Sequence, residues 1–182
     1  MAAIVAGDIL TKYSVKTGAA GNSTTSSASA SLGKYISTSA WSGGSLNDLF
    51  DDISGAENLA DTVDYRCIFV HNSNASNTYE NAKIYLSAET AGGASIAIAI
   101  DNVAASVIGS ASAQAEEITN ETTAPSANGG FSSPTTLGAA LTLGNIPSGQ
   151  CKAFWIRRTA AHTAALSADG VTFTISGDTG SL

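Results

Sequence analysis

Ile96, Ile98 and Ile100 alternate with Ala97 and Ala99, and Val171, Phe173 and Ile175 alternate with Thr172, Thr174 and Ser176. A period of two gathers the large apolar side chains on one face of an extended chain, which a helix of 3.6 residues per turn cannot do. Residues 65–70 (YRCIFV), 83–87 (KIYLS), 141–143 and 152–158 (KAFWIRR) share the β-branched and aromatic character, and clusters of Gly, Asn, Ser and Pro separate them. Six or more short strands over about 110 residues predict an all-β protein, an antiparallel β-sandwich of immunoglobulin-like or jelly-roll type. Ile146-Pro147-Ser148-Gly149 fits a type I turn with Pro second and Gly fourth, and Asp169-Gly170 marks the turn into the last strand.

The first 44 residues read differently. GAAGNSTTSSASASLG, residues 18–33, carries no charge and only Leu32 as a sizeable apolar group. Fixing each of its backbones costs roughly 1–2 kcal/mol, more than this composition can offset alone. Two patterned pieces flank it. In residues 9–16, Ile9, Tyr13 and Val15 oppose Lys12, Ser14 and Lys16, and residues 34–37 follow as a second weak strand. The expectation is an extended N-terminal arm over 1–44 that orders on a neighbour, followed by the sandwich domain over 45–182. Tyr13, Tyr35 and Trp41 are then the candidate interface anchors, because large rings supply much of an interface's energy. For Trp41 the alternative is packing in the domain core. Deleting residues 1–40 should, on this reading, leave a folded domain.

One short helix is expected near 46–53. Ser45 serves as its N-cap, Asn47 and Asp48 sit in its first turn, and Leu46, Leu49, Phe50 and Ile53 make its apolar stripe before Gly55 closes it. The core candidates are Leu46, Phe50, Cys67, Phe69, Ile84, Ile98, Trp155, Phe173 and Ile175.

Composition narrows the function classes. Ala, Ser, Thr and Gly make up 94 of 182 residues, yet 43% of the chain is hydrophobic, which is not a disordered profile. A net charge of −7 argues against a nucleic-acid partner, since neutralising phosphates takes clustered Lys and Arg. No apolar run approaches the roughly 20 residues of a membrane helix, and residues 1–6 lack the pattern of a secretory signal. Phosphate-binding glycine motifs are absent.

Few groups offer chemistry. His71 and His162 are the two histidines, both expected in surface loops and neither in a nucleophile motif. Cys67 and His71 are spaced as a ligand pair, but Cys151 is the one other cysteine, so no metal site is expected. Cys67 and Cys151 are expected as buried free thiols, with a bridge across the sandwich as the alternative. Asp48, Asp51, Asp52, Glu57, Asp61 and Asp64 place six carboxylates in 17 residues without a calcium-loop spacing. They read first as a solvated acidic face, then as a docking surface for a basic partner, then as a cation site. Alternation sends Arg157 and Arg158 to opposite sheet faces, where one can pair with those acids. No catalytic residue and no cofactor emerges.

Four segments taken together carry a resemblance: LFDDISGAENLADTVDYRCIFVHNSN (49–74), NAKIYLS (81–87), NIPSGQCKAFWIRRT (145–159) and DGVTFTISGDT (169–179). They resemble small structural proteins of tailed bacteriophages, over roughly residues 46–179. The resemblance implies a virion component made in the host cytoplasm. Acidic balance disfavours a surface facing packaged DNA, so the expectation is a capsid decoration, or cement, protein on the outside of the head, bound to the major capsid protein. Decoration proteins are often trimers at threefold positions, which extends a homo-oligomer to this chain as an expectation. The rival is a tail, neck or fibre-associated component, including a receptor- or carbohydrate-binding module; an enzyme such as a depolymerase ranks third.

Overall fold

The computed structural model describes residues 3–17, 26–160, 162, 164, 166 and 168–179. Ten strands follow in order: β1 (Ile9–Val15), β2 (Tyr35–Ala40), β3 (Val63–Asn72), β4 (Tyr79–Glu89), β5 (Ser95–Ile100), β6 (Ser106–Val107), β7 (Asn128–Ser132), β8 (Leu141–Ile146), β9 (Gln150–Thr159) and β10 (Val171–Thr179). One sheet has seven strands in the order β2-β1-β3-β9-β5-β7, with β6 also beside β9, and the other has three in the order β10-β4-β8. Every pairing is antiparallel. The protein is an all-β sandwich.

Period-two patterning fills the space between the sheets. Ile68 and Val70 of β3, Phe154 and Ile156 of β9, and Ile96, Ile98 and Ile100 of β5 meet Ala82, Ile84 and Leu86 of β4 and Leu143 and Ile146 of β8. Phe173 and Ile175 of β10 pack against this core while only partly buried. The larger sheet has a second buried face. There Cys67, Phe69, Ala153 and Trp155 are fully covered and cluster with Ile36, Ala115 and Ile118. Both faces of β3 and β9 are therefore dry, which is why these strands read as continuous apolar runs rather than clean alternations.

The cover on that second face is an outer layer, residues 101–127, with little regular structure. Buried Asp101 pins it. Its Oδ2 accepts from Trp155 Nε1 at 2.7 Å and from the Glu116 N–H at 3.0 Å, and its Oδ1 accepts from the Val103 N–H at 2.8 Å. Lys152 donates to the Asp101 carbonyl at 2.7 Å. Gly33, at φ +89°, lets the layer come close: a Cβ there would lie 1.8 Å from the Glu116 carbonyl oxygen.

The N-terminal segment is not a detachable arm. β1 pairs with β3 from Ile9↔Asn72 to Tyr13↔Ile68, and β2 pairs with β1, so both are strands of the larger sheet. Ser31 is fully buried; its hydroxyl donates to the Cys67 carbonyl at 2.5 Å and accepts from the Ser14 N–H at 2.9 Å. Residues 26–33 thus order on their own chain, while 18–25 lie outside the described residues. Removing residues 1–40 takes two strands from the sheet and uncovers the edge of β3, contrary to the expectation of an intact domain.

The helix is also displaced. Residues 46–50 form turns and bends and 51–53 have no regular structure, with Asn47 at φ +60° and Leu46 77% exposed. The helix α1 is Gly55–Leu59, so Gly55 opens it rather than closing an earlier one. Ser54 accepts from the Glu57 N–H at 3.2 Å, and Glu57 accepts in return from the Ser54 N–H at 2.7 Å. This reciprocal box fixes the start, and the apolar stripe yields to it. The turn before β9 shifts by one residue as well. Gln150 N–H bonds the Pro147 carbonyl at 3.0 Å, and Gly149 occupies the left-handed position at φ +70°.

Candidate functional site

Chain connections gather at the two ends of the sandwich. At one end Asn72 donates its side-chain amide to the carbonyls of Asn77 and Ile146, at 2.8 and 2.9 Å, and its own carbonyl takes the Gly149 N–H. These bonds tie that end shut. The opposite end carries a cleft of about 1120 Å³ between a strap of residues 41–58 and the β4–β5 connection with the start of β10.

The strap crosses the open side of the sandwich between β1 and β10. Trp41 N–H bonds the Thr11 carbonyl at 2.9 Å, and its ring meets Phe173 edge-on with centroids 5.6 Å apart. Tyr13 donates its hydroxyl to the Asp48 carbonyl, and burial followed by the Asp48 charge raises the phenol's pKa above the ordinary value. Leu49 is buried in the inter-sheet core.

Two arginines anchor the strap's far end. Arg158 lies 4.7 Å over the Phe50 ring and Arg66 lies 5.1 Å over it. Arg158 donates to Asp64 Oδ2 through Nη2 at 2.6 Å and Nε at 3.2 Å, to the Asp51 carbonyl, and to Asp51 Oδ1 at 3.3 Å. Arg66 pairs with Glu121. Alternation on β9 sends the two arginines to opposite faces without saying which meets the acids; Arg158 is the one that makes the pairs. Arg157, on the other face, stacks 5.3 Å from the Phe131 ring.

The six acids therefore divide. Asp64 is buried in its ion pair, and Glu57 caps α1 with its pKa lowered by the Ser54 hydrogen bonds. Asp51, Asp52 and Asp61 are exposed, and Asp48 is half-buried. Trp41 Nε1 and Asp48 Oδ2 are both shielded from water without a hydrogen-bond partner. Among the described residues, no three His, Cys, Asp or Glu side chains come together as metal ligands.

The three anchor candidates do not form one surface. Tyr13 and Trp41 turn their rings against the inter-sheet core, and Tyr35 sits half-buried on one edge strand of the larger sheet, 5.6 Å from the Lys34 ammonium. His71 is not in a surface loop. It is the next-to-last residue of β3, opposite Cys151 and 8% exposed, and burial with the nearby Lys12 charge lowers its pKa to about 4. Its Nδ1 has no partner. His162 is exposed, 4.0 Å from Asp61. Cys67 and Cys151 are buried free thiols, and burial pushes Cys151 up to about 12 and Cys67 well above its usual value. Neither thiol is a ready nucleophile.

The cleft escaped sequence reasoning because its walls come from residues 41–58, 88–96 and 168–172 with Arg158, Ala164 and Leu166, far apart in the chain. The acidic cluster was the available signal for one wall. No family model, no curated protein and no solved structure matches this chain.

Proposed function

We propose that this chain is a non-enzymatic virion structural protein of a tailed bacteriophage, of the capsid decoration or cement type, bound to the major capsid protein on the outside of the head. One observation carries the reading. The four segments that resemble phage structural proteins fall on the framework: β3 with its strap, β4, the β8–β9 turn with β9, and β10. The resemblance thus concerns the strands and turns that hold the sandwich together, rather than a local motif.

Surface character supports the same assignment. The chain carries 23 charges in 182 residues, so exposed Ser, Thr and Ala can be covered at low desolvation cost. With Tyr13 and Trp41 turned inward, the contact surface moves from a free arm to the folded body, where β2 is one edge strand of the larger sheet and carries Tyr35. A net charge of −7 favours a site away from packaged DNA. Copies related by the shell's symmetry would bind as a homo-oligomer and stabilise the assembled form by mass action.

A three-dimensional map of the purified virion tests the proposal. Density for the sandwich repeated at many equivalent sites on the outer shell is the expected result. A handful of copies at a single vertex, or on the tail, would overturn it in favour of a neck, tail or fibre component.

A further inference from the structure

We propose that the cleft beside the strap is a docking groove for an extended segment of another protein in which lysine or arginine alternates with apolar side chains. The proposal stands apart from the virion assignment and is tested without particles.

Charge decides the sign of the occupant. Asp48, Asp51, Asp52, Glu89 and Asp169 line the cleft, against Arg158 as the one base among its described lining residues. Arg158 is already taken by Asp64 and Asp51. A groove with five carboxylates and one neutralised guanidinium repels anions and attracts cations.

Geometry decides the kind of cation. Asp169 accepts from the Ala94 N–H at 2.6 Å, Glu89 from the Ile96 N–H at 2.9 Å, and Asp51 from Arg158. The carboxylates are thus held apart along both walls instead of converging on one point, which suits charges spaced along a chain better than a single metal ion. Leu46 stands 77% exposed on the strap at the cleft, so an occupant gains by covering apolar surface there. A neutral saccharide brings no charge to the acids, and a polyamine brings methylenes but no branched apolar side chain to seat on Leu46. At about 1120 Å³ the space also exceeds the roughly 300–1,000 Å³ of a small-molecule pocket.

The test uses the full-length protein and a fluorescein-labelled eight-residue peptide of alternating lysine and leucine, followed by anisotropy at low and high salt. Binding that weakens as salt rises is expected. Asp52→Lys should weaken it about tenfold and Leu46→Ser about fivefold, since both side chains are exposed and neither supports the fold. Asp178→Asn, at the end of β10 remote from the cleft, should leave affinity unchanged. Four results overturn the proposal: no binding up to millimolar peptide at low salt, equal binding of a glutamate–leucine peptide, equal loss in Asp178→Asn, or binding of chitotetraose without binding of the peptide. None of these bears on where the protein sits in a virion, so the two proposals fail separately.

Discussion

Two irregular segments cover this sandwich, and they do so in opposite ways. The outer layer over 101–127 lies on the larger sheet with its polar groups spent: Asp101 takes three donors, Lys152 caps two carbonyls, and Gln114 accepts from the Ile36 N–H at 3.1 Å. The strap over 41–58 buries Leu49 but leaves Leu46 in solvent and strands one indole N–H and one carboxylate oxygen. Both segments have little regular structure, so side-chain bonds and scattered backbone bonds such as Ile118 N–H to the Leu32 carbonyl do the fixing. Where an irregular segment's own buried polar side chains are paired, as over 101–127, it behaves as core; where they are not, as at Trp41 and Asp48, it is held less firmly.

That contrast can be broken from several directions. The largest effect should come from Asp64→Ala, which leaves Arg158 buried without its main partner. A loss of about 3–5 kcal/mol in urea unfolding is expected, and a loss under 1 kcal/mol would mean that the strap's anchor does not hold it. Asp101→Ala removes the acceptor for Trp155 Nε1 and two backbone N–H groups, and should cost about 2–3 kcal/mol, with a red-shifted Trp155 emission as water enters the outer layer. Unshifted emission would show the layer to be held by apolar contact alone.

Next in size is the effect of acid. His71 is held neutral in the fold, with a pKa near 4, whereas an unfolded histidine titrates near 6.5. Between those values the unfolded chain takes up a proton that the folded chain refuses. Stability is therefore complete above the unfolded value and is lost as pH falls toward 4, by on the order of 2–3 kcal/mol. Comparing wild type with His71→Gln at pH 7 and pH 4.5 isolates this part; parallel losses in both would assign the acid sensitivity elsewhere. The smallest effect belongs to the strap: Leu46→Ser should change the melting free energy by less than about 0.5 kcal/mol, and a larger drop would place Leu46 in the fold's core.

The parts legible in the sequence were those set by neighbouring residues. Alternation in β5 and β10 placed their faces, and the turn-bounded apolar runs placed β3, β4 and β9, each lengthened by a few residues at its ends. Alternation also sent one of the arginine pair to the acids. What failed depended on distant partners. Residues 9–16 and 34–37 read as strands, but nothing local says that β1 lies against β3, because that register is set across some sixty residues of chain. His71 read as a loop residue because the strand runs on past the apolar stretch under cover of the outer layer. That layer has no period to read, and its order comes from Asp101, an ordinary-looking acid after β5. The helix was a contest between an apolar stripe at 46–53 and a Ser54–Glu57 box, and the box won because it satisfies two backbone donors at once.

The central claim is that β1, β2 and the outer layer belong to one cooperative body with β3 and β9, while the strap beside the cleft does not. Native-state hydrogen exchange tests it residue by residue. Amides of Thr11, Tyr13, Glu116 and Ile118 should exchange with the free energy of global unfolding, like those of Ile68 and Trp155, and amides over 42–53 should exchange far faster. Rapid exchange of the β1 and β2 amides beside a protected β3 and β9 would contradict the account and restore the N-terminal segment as a separable arm.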